Sequence, residues 1–164
     1  MPVLEEVRDA NDRYASTFAK GDLAMPPGRR FAVVTCMDAR LDPAKFLGLE
    51  EGDAHVIRNA GGLVTDDAIR SLVISHTLLG TQEAIVIAHT DCGMLTFTNE
   101  DIRAKLAEER GADASDVDFH PFSDVDESVR KSVRRIRESP LLPEGYTASG
   151  FVYDVRSGRI REVG

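Results

Sequence analysis

Three residues with metal-binding side chains follow two apolar runs of the sequence. Cys36 comes directly after residues 31–35. His89 and Cys92 come after residues 84–88. Both runs are short, continuous and rich in β-branched residues, which is typical of strands that a parallel sheet buries on both faces. Because parallel strands end at the same edge of a sheet, where α/β proteins bind ligands, the three side chains can meet there.

Two thiolates and one imidazole suit zinc through their softness and through the tetrahedral preference of this ion. Three protein ligands leave one position open, which is typical of a catalytic metal site and not of a structural one. The alternative is that each cysteine is a small buried hydrophobic residue and that the histidine is hydrogen-bonded in the core. Their position at two strand ends favours the metal site, so we predict Cys36, His89 and Cys92 as zinc ligands.

Asp38 and Arg40 lie two and four residues beyond the first of these ligands. An arginine can hold a carboxylate through two parallel hydrogen bonds, which fixes its orientation and its charge. A carboxylate fixed beside zinc can accept a hydrogen bond from the water on the metal, or it can bind the metal itself. We therefore predict Asp38 and Arg40 as a catalytic pair, with an ordinary surface ion pair as the alternative.

The elements that must position these residues follow from the pattern of the whole chain. An amphipathic helix over residues 2–20, closed by Gly21, precedes the first strand as an arm. A further strand is predicted near residues 54–58, and Thr65 is the predicted N-cap of a helix. The predicted helices after the arm cover residues 43–47, 66–79, 99–110 and 124–138.

Strands and helices thus alternate, which is typical of an α/β fold with a mainly parallel β-sheet flanked by helices. The segments 150–155 and 159–163 are predicted to form a hairpin, which places an antiparallel edge strand at the C-terminus. We predict one domain over residues 1–164, with a helical arm and loop in 1–28 and an α/β core in 29–164. A chain of 164 residues is long enough for one such core.

Charge and cysteine content exclude several classes of function. The net charge of −8, with acidic and basic residues intermixed, argues against nucleic acid as a partner. The first 20 residues are too rich in charge for a signal peptide or a membrane span, so we expect no membrane partner. We expect a cytoplasmic protein, in which the two cysteines remain reduced and free to bind metal.

The motif Cys36-x-Asp38-x-Arg40, followed by His89-x-x-Cys92-Gly93, resembles the paired signature of β-class carbonic anhydrases. Residues 56–62, with the sequence Val-Ile-Arg-Asn-Ala-Gly-Gly, and the helix from Asp66 also resemble that family. The resemblance implies a carbonic anhydrase (carbonate dehydratase), a lyase that reversibly hydrates carbon dioxide to bicarbonate by a zinc-bound hydroxide. It also implies that Asp38 and Arg40 act as the orienting pair, with Asp38 as a possible fourth metal ligand in a closed state.

Backbone near the substrate is expected from the glycine-rich turn after the second strand and from the glycine after the last ligand. The residues predicted to bind substrate are Asn59, Ala60, Gly61, Gly62 and Gly93. A plain tight turn is the alternative for residues 59–62. Many family members place a glutamine in the pocket, but Gln82 precedes its strand and so belongs to the opposite end of the sheet.

Three expectations concern partners, proton transfer and substrate. The resemblance implies a homodimer or a higher even oligomer, with the N-terminal helix crossing to the partner. His55, His76 and His120 are candidate proton carriers, since histidine titrates near neutral pH, but the favoured interpretation of each is an ordinary partly buried or surface histidine. Hydrolysis of carbonyl sulfide or carbon disulfide at the same zinc site is an alternative function. A non-catalytic zinc or bicarbonate-sensing module, with the aspartate on the metal, is another.

Overall fold

A five-stranded sheet lies at the centre of the computed structural model, which describes residues 2–164. Its strands are β1 (Phe31–Cys36), β2 (Ala54–Asn59), β3 (Glu83–His89), β4 (Thr147–Tyr153) and β5 (Ile160–Glu162). They are ordered β2-β1-β3-β4-β5; the first four are parallel, and β5 pairs antiparallel with β4. The predicted α/β class, with a mainly parallel sheet and an antiparallel C-terminal edge, is confirmed. Met1, part of the predicted domain, lies outside the described residues.

Five α-helices and one short 3₁₀ turn connect the strands. The α-helices are α1 (Pro2–Ser16), α2 (Pro43–Leu47), α3 (Asp66–Leu79), α4 (Asn99–Arg110) and α5 (Val125–Arg137), and the 3₁₀ turn is Gly93–Leu95. The side chain of Thr65 accepts a hydrogen bond from the backbone of Ala68, which confirms it as the N-cap of α3. Thr98 and Asp101 form a capping box at α4. These local signals explain why the predicted bounds of α3 and α4 agree with the structure; the bounds of α2 agree as well.

Both faces of the central strands are covered, which explains their continuous apolar runs. All six residues of β1 are buried. One apolar cluster joins α3 and α5 to the sheet and includes Leu72, Val86 and Val133. A second cluster, which includes Val33, Ile87 and Phe46, packs α2 against the sheet. The sheet is therefore rigid where β1 and β3 end side by side.

Two predicted boundaries differ from the structure by three or more residues. The first helix ends at Ser16 and not at residue 20, because the hydroxyls of Ser16 and Thr17 bond the carbonyls of Arg13 and Tyr14. Such bonds compete with the helical backbone pattern. The strand predicted from residue 150 begins at Thr147, since its first residues pair in parallel with β3 before β5 is reached.

The arm formed by α1 and the following loop makes few contacts with the rest of the chain. Every residue from 3 to 26 is exposed. The hydroxyl of Tyr14 donates to Glu51 over 2.6 Å, and Lys20 forms an ion pair with the same carboxylate. No helix in the described residues is both long enough and apolar enough to cross a membrane.

Candidate metal centre

The three predicted ligands come together at the carboxyl edge of the sheet. Cys36 is the last residue of β1 and His89 the last of β3, and these strands are hydrogen-bonded neighbours. The left-handed backbone of Asp91, with φ of 54°, turns the chain so that Cys92 faces back toward them. The ligand atoms of Cys36, His89 and Cys92 all lie within 4.8 Å of one another, and all three residues are buried. The predicted convergence is confirmed.

The imidazole of His89 is oriented for a ligand at one nitrogen. Its Nδ1 lies 2.8 Å from the carbonyl oxygen of Thr90, an acceptor, so Nδ1 carries the proton. Nε2 therefore presents a lone pair. In the part of the chain that the structure describes, Nε2 is the one buried side-chain nitrogen or oxygen without a hydrogen-bond partner. A buried acceptor rarely remains unpaired, and this lone pair beside two sulfurs fits a metal such as zinc.

The ionisation of the two thiols also favours the binding of a cation. A hydrogen bond from Cys92, with further bonds from the backbone N–H groups of Asp38 and Gly61, holds the pKa of Cys36 well below its usual range against the effect of burial. The thiolate of Cys36, together with burial, raises the pKa of Cys92. The pair therefore holds at least one negative charge near neutral pH, which attracts a metal cation.

Asp38 and Arg40 form the predicted two-pronged pair. Arg40 Nε donates to Asp38 Oδ1 over 3.0 Å, and Arg40 Nη2 donates to Asp38 Oδ2 over 2.8 Å. These bonds hold the pKa of the Asp38 carboxyl well below its usual range. Arg40 Nη2 also donates to the carbonyl of Asp91 over 2.9 Å, which joins the pair to the second ligand turn. Asp38 Oδ2 lies 3.7 Å from the free Nε2 of His89, close to the point where the ligand atoms meet.

The segment predicted to bind substrate packs against the backbone of Cys36, one of the predicted metal ligands. Asn59 uses its side chain to accept from the N–H of Leu63 and to donate to the Leu63 carbonyl, at 2.8 and 2.7 Å. Gly62 has φ of +63°, and a Cβ there would lie 2.8 Å from the backbone nitrogen of Cys36. Ala60 is exposed, and nothing lies within 4 Å of a Cβ placed at Gly93. The structure thus shows how this segment packs against β1, and contact with substrate stays a prediction.

Sequence reasoning missed the apolar wall around the cluster. Cys36 and Cys92 pack with Leu41, Met94, Phe46, Phe97, Phe122, Tyr153 and Val155. Phe122 comes from the long polar segment between α4 and α5, where isolated aromatic residues give no local signal. The backbone N–H of Phe122 donates to the carbonyl of Met94 over 3.2 Å, which ties that segment to the metal centre.

The remaining candidates are distributed over both edges of the sheet. His55 bonds Ser75, and His76 bonds the carbonyl of Thr81, both at the amino edge and away from the ligand cluster. His120 lies on the segment that leads to Phe122, and its Nδ1 is 3.1 Å from a carboxylate oxygen of Asp118. Gln82 precedes β3, where its N–H donates to the carbonyl of residue 30, so it lies at the amino edge, as predicted.

Comparisons with known proteins agree with this geometry. A family model described as carbonic anhydrase matches residues 31–160. Beta-carbonic anhydrase 1 of Mycobacterium tuberculosis is 49% identical over 165 residues, covering 99% of each chain. A crystal structure of carbonic anhydrase from Streptococcus mutans superposes with a TM-score of 0.96 at 49% identity, covering 100% of this chain and 99% of the other. A carbon disulfide hydrolase of Acidianus is 38% identical over 173 residues, covering 91% of this chain and 83% of the relative.

Proposed function

We propose, since the chain belongs to the β-class carbonic anhydrase family, that Cys36, His89 and Cys92 hold a zinc ion for the reversible hydration of carbon dioxide to bicarbonate. The observation that carries this proposal is the free, buried Nε2 of His89 within 4.8 Å of two buried sulfurs. Zinc held by such ligands supplies hydroxide near neutral pH, because it lowers the pKa of water to about 7 in well-studied enzymes.

Asp38 and Arg40 are proposed as the catalytic pair. The carboxylate of Asp38 accepts two hydrogen bonds from the Arg40 side chain, so its orientation is fixed beside the ligand cluster. From this position Oδ2 can accept a hydrogen bond from the hydroxide that attacks substrate. That bond would turn a lone pair of the hydroxide oxygen toward the substrate. If Asp38 turned away from Arg40, it would become the fourth metal ligand of a closed state. The bonds from Arg40 favour the open arrangement.

Substitution of Arg40 tests this pairing. Arg40→Lys keeps the positive charge but cannot donate two parallel bonds, so we expect turnover between that of the parent and that of Arg40→Ala. Each variant should retain zinc, because Arg40 is not a ligand. Equal turnover in Arg40→Lys and the parent would show that the two-pronged geometry is not required.

The surroundings of the cluster support an apolar substrate. Aromatic and aliphatic side chains pack around the two cysteines and exclude water from one side. We propose that the turn 59–62 and Gly93 border bound substrate, supported by the close approach of Gly62 to the backbone of Cys36 and by the open space at Gly93. Carbon dioxide and carbon disulfide are both small, linear and apolar, so this wall accommodates either.

A gas assay separates the candidate functions. Zinc-loaded protein should hydrate carbon dioxide in a stopped-flow measurement, with carbon disulfide and carbonyl sulfide hydrolysis assayed in parallel. Carbon disulfide hydrolysis is the second candidate, because a relative with that name is 38% identical. Turnover of carbon disulfide without carbon dioxide would favour the second candidate. Full zinc occupancy without turnover of any of the three gases would contradict both and leave a sensing module.

A homodimer or higher even oligomer is proposed from the unpartnered arm. The apolar residues of α1 that follow Pro2 are solvent-exposed; Val3 is 71% and Val7 57% exposed. The arm touches its own chain through polar contacts at Glu51. A helix with such an apolar stripe is stabilised when a second surface covers it. A second copy of the chain is the proposed cover.

Sedimentation measurements on arm variants test this assembly. Val7→Asp places a charge on the apolar stripe and should shift the protein toward monomers at micromolar concentration, with lower activity. Asp9→Ala changes an exposed polar position of the same helix and serves as the matched control. A Val7→Asp protein that sediments like the parent, or a fully active monomer, would refute the role of the arm.

Two broader expectations remain proposals. We propose that residues 1–164 act as one β-carbonic-anhydrase-like domain, supported by the core cluster that joins α3 and α5 to the sheet. We also propose a cytoplasmic location, supported by the two free cysteines of the ligand cluster, which a reducing compartment preserves. Cell fractionation with an antibody to the protein checks the location.

A further inference from the structure

Arg58 forms hydrogen bonds with the turn that carries the first metal ligand. It is the next-to-last residue of β2, and its partner in the parallel register is Thr35 of β1. Its Nε donates to the carbonyl of Cys36 over 2.9 Å, and its Nη2 donates to the carbonyl of Asp38 over 2.8 Å. One planar guanidinium therefore holds the carbonyls on both sides of Met37.

Few other contacts anchor this turn. The Met37 side chain is 65% exposed, so apolar packing does not fix the turn from within. The N–H of Met37 donates to the carbonyl of Asn59 over 2.9 Å, which ties the turn again to the end of β2. The Asp38 carbonyl accepts a second, local bond from Leu41 over 3.1 Å. The guanidinium is thus the one side chain among these contacts that fixes both carbonyls.

The orientation of this turn controls two functional groups. Cys36 begins the turn, and its sulfur lies within 4.8 Å of the ligand atoms of His89 and Cys92. The carboxylate of Asp38 faces Arg40 and lies 3.7 Å from His89 Nε2. A rotation of the peptide units between Cys36 and Asp38 would displace the Cys36 sulfur and the Asp38 carboxylate together. Both functions therefore depend on what holds the two carbonyls.

We propose that Arg58 is a positioning residue of the metal centre, an inference that rests on the proposed function. Its guanidinium fork holds the turn 36–38 so that the Cys36 sulfur keeps its place among the ligands. The same fork keeps Asp38 aligned with Arg40. Both acceptors of Arg58 in these contacts are backbone carbonyls, so we infer that Arg58 acts through the turn and not on substrate.

Zinc competition and steady-state kinetics on Arg58 variants test the proposal. Arg58→Met removes the fork and keeps much of the apolar volume; its zinc affinity in competition with a chromogenic chelator should fall about 10- to 100-fold, the usual effect of losing a group that orients a ligand. The kcat for carbon dioxide should fall while KM changes little, because Asp38 loses its alignment. Arg58→Lys keeps the charge but cannot bond both carbonyls in parallel, so it should lie between Arg58→Met and the parent.

Arg137→Met is the matched control. Its guanidinium also donates to a backbone carbonyl, that of Ala148, but at the amino end of β4. It should lower the unfolding temperature without changing zinc affinity or kcat. In cobalt-substituted protein, the thiolate-to-metal absorption band should shift in Arg58→Met and stay unchanged in Arg137→Met.

The outcomes distinguish the inference from the function on which it rests. A parent protein that binds no zinc overturns both. A zinc-binding parent with an Arg58→Met variant that matches Arg137→Met in zinc affinity, kcat and cobalt spectrum overturns the role of Arg58 alone. If Arg58→Met does not fold, Arg58→Lys decides: parental zinc affinity and kcat in that variant overturn the proposal, and a loss in both supports it.

Discussion

Two buried polar clusters lie at opposite edges of the same sheet, and they differ in how their atoms are satisfied. At the amino edge the Ser75 hydroxyl lies 2.7 Å from His55 Nδ1 and 2.8 Å from the Thr81 hydroxyl. At the carboxyl edge the metal-ligand cluster leaves Nε2 of His89 without a partner. A satisfied polar network stabilises a fold, whereas an unsatisfied buried acceptor indicates a function.

The chemistry of the side chains explains this difference. Hydroxyls both donate and accept, so Ser75 and Thr81 can satisfy each other and a neighbouring imidazole. Two sulfurs near a lone pair of His89 can share few protons, and all three offer electron pairs to the same point. A metal cation such as zinc satisfies such a set. A histidine near a strand end therefore does not indicate a metal site until the groups around it are known.

The largest expected effect is loss of the metal from the carboxyl edge. Cys36→Ser, His89→Ala and Cys92→Ser should each reduce bound zinc from about one per chain to a small fraction. Carbon dioxide hydration should fall at least about 1,000-fold, which corresponds to roughly 4 kcal/mol in the barrier. Metal analysis and stopped-flow assays measure both. Ser75→Ala, the counterpart at the amino edge, should keep zinc and activity. Full zinc occupancy in any ligand variant would exclude that residue as a ligand.

A smaller effect is expected from a methyl group at Gly62. In Gly62→Ala the new Cβ would lie 2.8 Å from the Cys36 backbone nitrogen, in a left-handed conformation. Gly80→Ala has a similar φ of +74° but open space around its Cβ. Each should lose about 1–2 kcal/mol for the left-handed backbone, and Gly62→Ala should lose more and bind zinc less tightly. Urea unfolding and chelator competition measure this difference. Equal losses in both variants would show that β1 tolerates the contact.

The amino edge should respond in stability and not in activity. Thr81→Val removes a buried hydroxyl that bonds Ser75, so the free energy of unfolding should fall by about 1–3 kcal/mol. Zinc content and carbon dioxide turnover of the folded protein should stay unchanged. Thr81→Ser keeps the hydroxyl and should restore most of the stability. A loss of zinc in Thr81→Val would contradict the separation of the two edges.

The smallest effect is expected from an ion pair outside both clusters. Arg161 donates two hydrogen bonds to Asp126 and holds the pKa of that carboxyl below its usual range. A lowered pKa in the folded state stabilises the protein above the unfolded pKa, about 3.9, and this stability is lost as pH falls through the folded pKa. For a partly exposed pair it is below about 1 kcal/mol. Asp126→Asn should remove this stabilisation. The free energy of unfolding of the variant should therefore approach that of the parent as pH falls. Urea titrations from pH 7 down to pH 3 measure this; a constant difference would contradict it.

Local patterns were sufficient for most of the fold. Helix α3 was predicted with its bounds because Thr65 caps one end and Gly80 the other, and both signals lie within a few residues. The predicted end of α1 was wrong, because helix propensity does not show which carbonyls Ser16 and Thr17 bond. The start of β4 was wrong because its first residues pair with β3, far away in sequence.

Spacing along the chain was enough to predict which residues meet at the metal centre, because parallel strands end at one edge and place Cys36 beside His89. It also determined the Asp38 and Arg40 pair, whose members are two residues apart. Two features are visible only in the folded chain: Nε2 of His89 is the free nitrogen, and Arg58 holds the carbonyls of the ligand turn. The Arg58 contacts depend on the register of β2 against β1, and the Thr90 carbonyl that orients His89 is placed by a turn whose N–H bonds Tyr153 of β4. Local spacing does not encode either, because the energy that selects them comes from packing between segments remote in the chain.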